Sequence, residues 1–484
     1  MTKSELPRRD FIAALGIAGG LSLFGASETA NAQPSAVILP LKKCPQPGAI
    51  IRKNIKNLTA AELTAYRAGV AAMKARPITD PTSWTYQAAI HGTTLSGSNV
   101  AWNTCQHNTT FFLSWHRMYL CFFERILRKA SGNANFGLPY WNYSDSADPN
   151  ARALPTVFRT PSGAGNSLFE SNRGPGINAG NLISASAVGT SAAMAQTSFY
   201  PFSSSVNGTP HGAVHVSLGG LMGSVPTAAL DPIFWLHHCN IDRLWNRWLS
   251  QGGGRQNPTT DAAWLYTEFT FFDENKKQVK MTGADIINAN CTMCKSCYDE
   301  EAVFPDWTVA FDRLSFAEIL IGRVKPLVLG SNRVRFEVDL DSDLKNSLAR
   351  VNSLAKADSP ASLKLSFEGV RLDKPLDFYY EVYIDLPADV QDPDFRMSSY
   401  AGNISFFGAD RMHDHDMKQG GNKFSVYITD AVAKMSAKSL DSRKLSITLV
   451  PSATVTRDEK RIPVRSGGKA DVGSITLSIE EGRK

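Results

Sequence analysis

The sequence predicts a multi-domain α + β protein, mainly helical from about residue 50 to 250 and antiparallel β from 326 to 484. Three observations predict it. Apolar residues recur at helical spacing over Phe111–Arg128 and again after Asp231-Pro232. Four runs beyond residue 330 alternate or run as strands. Seven of the nine histidines fall in the helical part, between positions 91 and 238. Composition sets the outer bounds. With 484 residues, 43% hydrophobic and 20% charged, the chain can bury a large core, which excludes a small disulfide scaffold or a wholly disordered chain. Its net charge of +6, from 51 basic and 45 acidic residues, is too diffuse to imply nucleic acid.

The elements follow in order. The apolar run Phe11–Ala26 is shorter than a bilayer requires and contains Gly16, Gly19, Gly20 and Gly25. Arg8-Arg9 precedes it and Ala30-Asn31-Ala32 follows as a small-residue cleavage site. This predicts a twin-arginine export signal at 1–32 and a periplasmic or secreted location, with no integral membrane segment in the mature chain. An uncut membrane anchor is the alternative. The core is placed at 33–300, a linker at 301–325 and the C-terminal domain at 326–484. Thr59-Ala60-Ala61-Glu62 is a capping box that opens an alanine-rich helix ended by Pro77. Residues 150–210, rich in Ser, Ala, Gly and Asn, read as a long surface excursion with little regular structure. Leu230-Asp231-Pro232 starts a helix to about Leu249, with Asp as N-cap and Pro at the first helical position. Val334–Val338, Phe378–Ile384, Lys423–Ile428 and Leu445–Val450 read as strands of a β-sandwich.

Six histidines form two groups of three. His211 and His215 are four apart, so one helix face carries both imidazoles. A third comes from His237-His238, of which only one faces inward, because neighbours on a helix point about 100° apart. In the other group, His107 and His116 are nine apart and cannot share a site from one regular helix. His116 fits the Phe111–Arg128 helix, His107 the loop before it, and His91 completes the set. A lone histidine is more often a packing residue, but two triads among apolar aromatic helices point to metal. All-imidazole ligation suits copper, iron or zinc and disfavours magnesium or calcium.

Ser114-Trp115-His116-Arg117, Leu138-Pro139-Tyr140-Trp141-Asn142 and Asp231-Pro232-Ile233-Phe234-Trp235-Leu236-His237-His238 with Asp242-Arg243-Leu244-Trp245 resemble the tyrosinase and polyphenol oxidase family of type 3 copper proteins. Ala263-Trp264-Leu265 with Phe271–Asn275, and more weakly Glu381–Phe407, are similar to plant-type members. The resemblance implies a four-helix-bundle core with two copper ions, one held by His91, His107 and His116 and the other by His211, His215 and His238. His237 would then orient the site through hydrogen bonds. Dioxygen would be the co-substrate and small phenols the partners, with o-diphenols oxidised to o-quinones and monophenol hydroxylation left open. A haemocyanin-like oxygen carrier is the alternative. Cys105, two residues before His107, matches the cysteine that fungal members join to this histidine by a thioether.

Three positions bear on the reaction the resemblance implies. Gly212 stands where strong monophenolases often have Asn, and Asn207 where plant members often have a Glu that holds a water. Both sit at the substrate mouth and count against tyrosine hydroxylation. Val225 stands where plant catechol oxidases often have a gating Phe, and its smaller side chain leaves the first copper more open. In relatives of this architecture the C-terminal domain can cover the copper site, so the same shielding is expected here. Of the remaining cysteines, Cys121 and Cys239 read as small core residues. Cys291, Cys294 and Cys297 are spaced either for Cu(I) or for a disulfide, with the disulfide favoured. His413 and His415 read as solvated.

Overall fold

The computed structural model describes residues 48–97, 99–287, 294–301, 315–356, 361–409, 422–464 and 467–483. The expected export signal, Cys44, Cys291, His413, His415 and most of the expected linker lie outside them. Six helices position the site: α1 (Ala60–Lys74), α2 (Trp84–His91), α3 (Phe112–Ser131), α4 (Phe199–Val206), α5 (Ala213–Leu218) and α6 (Ile233–Ser250). The capping box of α1 forms in full, with Thr59 N donating to Glu62 Oε2 at 2.8 Å and Glu62 N to Thr59 Oγ1 at 3.2 Å. The start of α6 differs from expectation by one position. Pro232 is the cap rather than the first helical residue, while Asp231 still accepts from Ile233 N at 3.2 Å. Asp231 also receives both arms of the Arg173 guanidinium, at 2.7 and 2.8 Å.

The stretch read as an irregular excursion is more ordered than composition implied. It contains α4, whose Phe199, Phe202 and Val206 are buried, and Phe202 stacks on Trp248 of α6 with ring centroids 4.5 Å apart. Polar composition hid this because the apolar residues are few but aromatic. Each such ring buries enough area to fix a short helix.

Helices α3 and α6 meet across a buried ionic cluster. Arg52 donates to Glu124 on α3 at 3.0 Å and to Asp242 on α6 at 3.2 Å. Arg117 reaches Asp242 and Asn246, and its guanidinium lies 3.6 Å from the Trp245 ring centroid. Burial pushes the Glu124 carboxyl up, but Arg52 and Arg128 outweigh it and hold the group below its usual range.

Cys121 is not a simple core residue. It forms a disulfide with Cys294, which ties α3 to the segment that follows the core. Cys297 is also in a disulfide. The pairing favoured from spacing is therefore borne out for Cys294, but its partner lies 173 residues away, which local spacing cannot reveal. Cross-linking over so long a loop constrains the unfolded chain strongly, by about 2–5 kcal/mol. Cys294→Ser should thus lower the free energy of unfolding by that amount, read as a lower denaturant midpoint at unchanged slope in an equilibrium unfolding titration.

Among the described residues, the main sheet of the C-terminal part holds eight strands: β1 (Ser315–Val324), β2 (Val334–Leu340), β3 (Ala361–Glu368), β4 (Tyr379–Ile384), β5 (Tyr400–Ile404), β6 (Lys423–Tyr427), β7 (Lys444–Ser452) and β8 (Ser474–Arg483). They form one antiparallel sheet in the order β5-β4-β7-β2-β1-β8-β3-β6. The expected sandwich gives way to this single sheet, whose twist curls it until the edge strands β5 and β6 approach each other. A separate three-stranded sheet adds Leu327–Leu329, Arg371–Leu372 and Ala470–Val472. Alternation along a strand reports which face is buried, not whether that face meets a second sheet or its own curl.

The described residues form one compact unit. The short strand Thr454–Val455 pairs antiparallel with Leu182–Ile183 of the helical part. Nearby, Ser186 Oγ donates to the buried Glu381 carboxylate at 2.7 Å, and Asn403 Nδ2 to Ser186 O at 2.8 Å. Among the described residues no helix is long and apolar enough to cross a membrane.

Candidate metal centre

Four helices, one π turn and one loop deliver the histidines. His91 ends α2, His116 lies in the second turn of α3, His215 lies in α5, and His237 and His238 lie in α6. His211 sits where the chain widens into a π turn over Asn207–Gly212, interrupted at Thr209. His107 lies in the loop before α3, shaped in part by Asn103 and Asn108 at φ 58° and 54°. Asn tolerates that left-handed conformation better than most residues do.

Two clusters result. His91, Cys105, His107 and His116 each offer a donor atom within 4.8 Å of the others, and so do His211, His215, His237 and His238. The clusters adjoin each other. The His116 and His238 rings stack 4.4 Å apart, and His107 lies 5.4 Å from His211. Every residue expected from the two triads is brought together. Local spacing left open which of His237 and His238 faces inward; both rings are buried beside His211 and His215.

Four of the rings are held in the same way. The Nδ1 atoms lie against main-chain carbonyl oxygens: His91 on Val225 (3.0 Å), His116 on Phe112 (2.7 Å), His211 on Asn207 (3.1 Å) and His215 on Met222 (2.8 Å). An Nδ1–H donated to a carbonyl leaves Nε2 as a lone pair. The Nε2 atoms of His116 and His211 are buried with no hydrogen-bond partner, and those of His215 and His238 face each other at 3.2 Å. Burial pushes His116 and His237 down to about 3, and burial together with neighbouring rings holds His107, His211, His215 and His238 well below the usual imidazole range. These six rings are therefore neutral. Converging buried lone pairs with no donor to satisfy them fit a cation, and imidazole donors with one thiol and no carboxylate fit copper better than a hard ion.

Cys105 Sγ lies 3.0 Å from His107 Nδ1 and 3.6 Å from Nε2, which places it on the side of the ring carrying Cε1. Val225 has a role the sequence did not indicate, since its carbonyl oxygen orients His91. Its side chain is buried, and a Cβ built on Gly408 would lie 3.6 Å from Val225 Cγ2 and from His107 Cβ. Asn207 orients His211 through its carbonyl oxygen, while its amide donates to Asn108 Oδ1 at 2.6 Å. Gly212 is confined by the sheet, because a Cβ there would meet Ser405 Oγ at 3.0 Å and Ser405 Cβ at 3.1 Å. A bulkier residue would have to displace that loop.

Phe407 was missed as a site residue. It follows β5 on a turn where Gly408 has φ 88°. Its ring stacks on His215 at 4.0 Å and 12°, and sets its edge against His107 at 5.3 Å and His211 at 5.6 Å. A β-domain residue thus lies over both clusters and joins the apolar core of the helical part. The available signal was Phe406-Phe407-Gly408, two large apolar rings beside a residue suited to a tight turn.

The comparisons with known proteins bear on this arrangement. The common central domain of tyrosinase matches residues 81–186 and 175–251, which span all seven histidines of the two clusters, and the polyphenol oxidase middle domain matches 259–303. The chain belongs to the tyrosinase and polyphenol oxidase family. It is accordingly a copper oxidoreductase. A domain of unknown function, DUF7868, matches 317–465. Tyrosinase HcTyr1 of Hahella sp. (strain CCB-MM4) is 36% identical over 291 residues, covering 49% of this chain and 60% of that protein. A chloroplastic polyphenol oxidase of Malus domestica is 28% identical over 537 residues, covering 93% and 87%. The solved structure of latent apple tyrosinase shares the fold at a TM-score of 0.64 and 22% identity, over 91% of this chain and 100% of that one.

Proposed function

We propose that the chain oxidises o-diphenols to o-quinones with dioxygen at a dicopper site. His91, His107 and His116 hold one ion and His211, His215 and His238 the other, within a four-helix arrangement. The observation that carries this is the pair of adjoining clusters of buried neutral imidazoles whose free nitrogens converge. Copper, when bound, supplies the redox chemistry with dioxygen.

The chain's own residues do the rest. The carbonyl oxygens of Val225, Phe112, Asn207 and Met222 fix the ring orientations, so the donor set is preorganised. Cys105 is placed to join His107 through a thioether at the ring edge it already faces: the new S–C bond would replace the thiol S–H and the ring C–H, the two electrons and two protons would pass to dioxygen, and the bond would pin the one imidazole carried on a loop. His237 supports the site from beside His211 and His215. The apolar mouth admits a phenol ring where Phe407 now stacks on His215 and excludes water around it. The C-terminal domain is accordingly a shield, with Phe407 as the group that fills the mouth.

Diphenol oxidation is favoured over monophenol hydroxylation. Among the described residues no carboxylate belongs to either cluster, and the residue at the mouth that could hold a water is the amide Asn207, a poor base. Oxygen uptake with 4-methylcatechol against 4-methylphenol tests this ranking. We expect prompt oxidation of the catechol and slow oxidation of the phenol after a lag. Equal rates without a lag would overturn it.

A further inference from the structure

One short connection, between α5 and α6, supplies a main-chain acceptor to each histidine cluster. Met222 O faces His215 Nδ1 at 2.8 Å, and Val225 O faces His91 Nδ1 at 3.0 Å. His215 and His91 belong to different triads, yet their carbonyl partners lie within a single turn of chain. That connection is stapled across its middle. Thr227 Oγ1 donates to Leu221 O at 2.8 Å, which joins the half bearing Met222 to the helical turn Val225–Ala228. Ser224 O accepts from Thr227 N at 3.1 Å and from Ala228 N at 2.9 Å, which fixes how that turn begins. The two orienting carbonyl groups therefore sit on one tied unit.

Helix α2 holds the unit at both ends. Trp84, at the start of α2, donates its indole N–H to Leu230 O at 3.1 Å. Gly92, buried directly after His91 at the other end, is packed against the Val225 peptide. A Cβ built on Gly92 would lie 2.6 Å from Val225 O and 3.0 Å from Pro226 Cα. The backbone of Gly92 is extended, at φ −171°, a conformation any residue adopts, so space alone requires glycine here. Both obstructing atoms are main chain and cannot rotate away. A side chain at position 92 has to lift the same carbonyl that orients His91.

We propose that residues 221–230 form a strap shared by the two metal sites, with Gly92 setting its height and Thr227 making its two carbonyl groups move together. The inference rests on the dicopper reading above. Gly92 and Thr227 are positioning residues, each acting through the carbonyl it places. A change beside the first cluster reaches the second through the strap, so the metal affinities of the two sites are linked.

The test reads Cu(I) affinity in the full-length protein, by competition with a chromophoric chelator, with one cluster disabled at a time. His238→Ala leaves the first cluster to be read and His116→Ala the second. Gly92→Ala should weaken Cu(I) binding at the first cluster by about 10- to 100-fold, the usual cost of displacing a group that orients a ligand. In the His116→Ala protein it should weaken binding at the second cluster by about threefold or more, and adding Thr227→Val should cut that loss to less than about twofold. Thr227→Val keeps the branched shape and introduces no clash, so it tests the strap even where Gly92→Ala does not fold. By itself it should weaken Cu(I) binding by about threefold in both single-cluster proteins. A second cluster unmoved by Gly92→Ala would overturn the proposal. So would a loss there that is the same with and without Thr227→Val, accompanied by a lower Tm, because that marks general destabilisation. The same ladder of Cu(I) affinities without catechol oxidation by the Phe407→Ala protein would instead sink the oxidase reading and leave the strap standing.

Discussion

Replacing Phe407 by Ala in the full-length, copper-loaded protein should raise the rate of catechol oxidation by roughly 10- to 100-fold. The Phe407 ring is buried against His215, His107 and His211. Burying such a ring stabilises the closed arrangement by about 1.5–3 kcal/mol, and that energy must be supplied before a phenol can take its place. Removing the ring shifts the balance toward an open mouth by the corresponding factor. Phe406→Ala is the control. Phe406 points the other way, against Phe367, Tyr380 and Phe424 in the sheet core. Its loss should cost stability, about 3–5 kcal/mol, and Tm should fall further than for Phe407→Ala. A Phe407→Ala protein no more active than the parent would show that the ring does not limit access.

Replacing His238 by Ala should reduce bound copper from two ions per chain to one and bring oxidation to background. His237→Ala should keep both ions and lose about 10- to 100-fold in activity, the usual cost of removing a group that orients a ligand. The two rings are neighbours in sequence but face different surroundings. His238 stacks 4.4 Å from His116 of the opposite cluster, and its Nε2 lies 3.2 Å from that of His215. His237 turns toward Tyr143, 5.7 Å away, which places it on the flank of its cluster. Copper content by atomic absorption decides the matter. Loss of an ion from His237→Ala with retention in His238→Ala would reverse the assignment.

Much of the metal centre was legible because it depends on local periodicity. The four-residue spacing of His211 and His215, the helix opened near Asp231 and the loop position of His107 all follow from short-range geometry, and the structure places each as expected. What escaped is non-local. The Cys121–Cys294 bridge and the contacts among Arg52, Glu124 and Asp242 join residues far apart in the chain. The meaning of Gly212 was likewise hidden. Read locally it is a missing Asn at the mouth, whereas in the fold it is the residue small enough to lie beneath Ser405. Phe407 was invisible for the same reason, since its partners are histidines some 190 to 300 positions away, and only the curled sheet brings it to them. The single sheet differs from the expected sandwich because strand alternation carries no information about sheet closure.

The central claim is that the paired histidine clusters hold copper that turns phenols over, rather than copper that only binds oxygen. Total oxygen consumed by the copper-loaded Phe407→Ala protein in excess catechol tests it most directly. The account predicts consumption that continues until catechol is exhausted, far beyond one dioxygen per copper pair, with matching o-quinone absorbance. Uptake that stops at one dioxygen per pair and reverses under vacuum would mark an oxygen carrier and contradict the account.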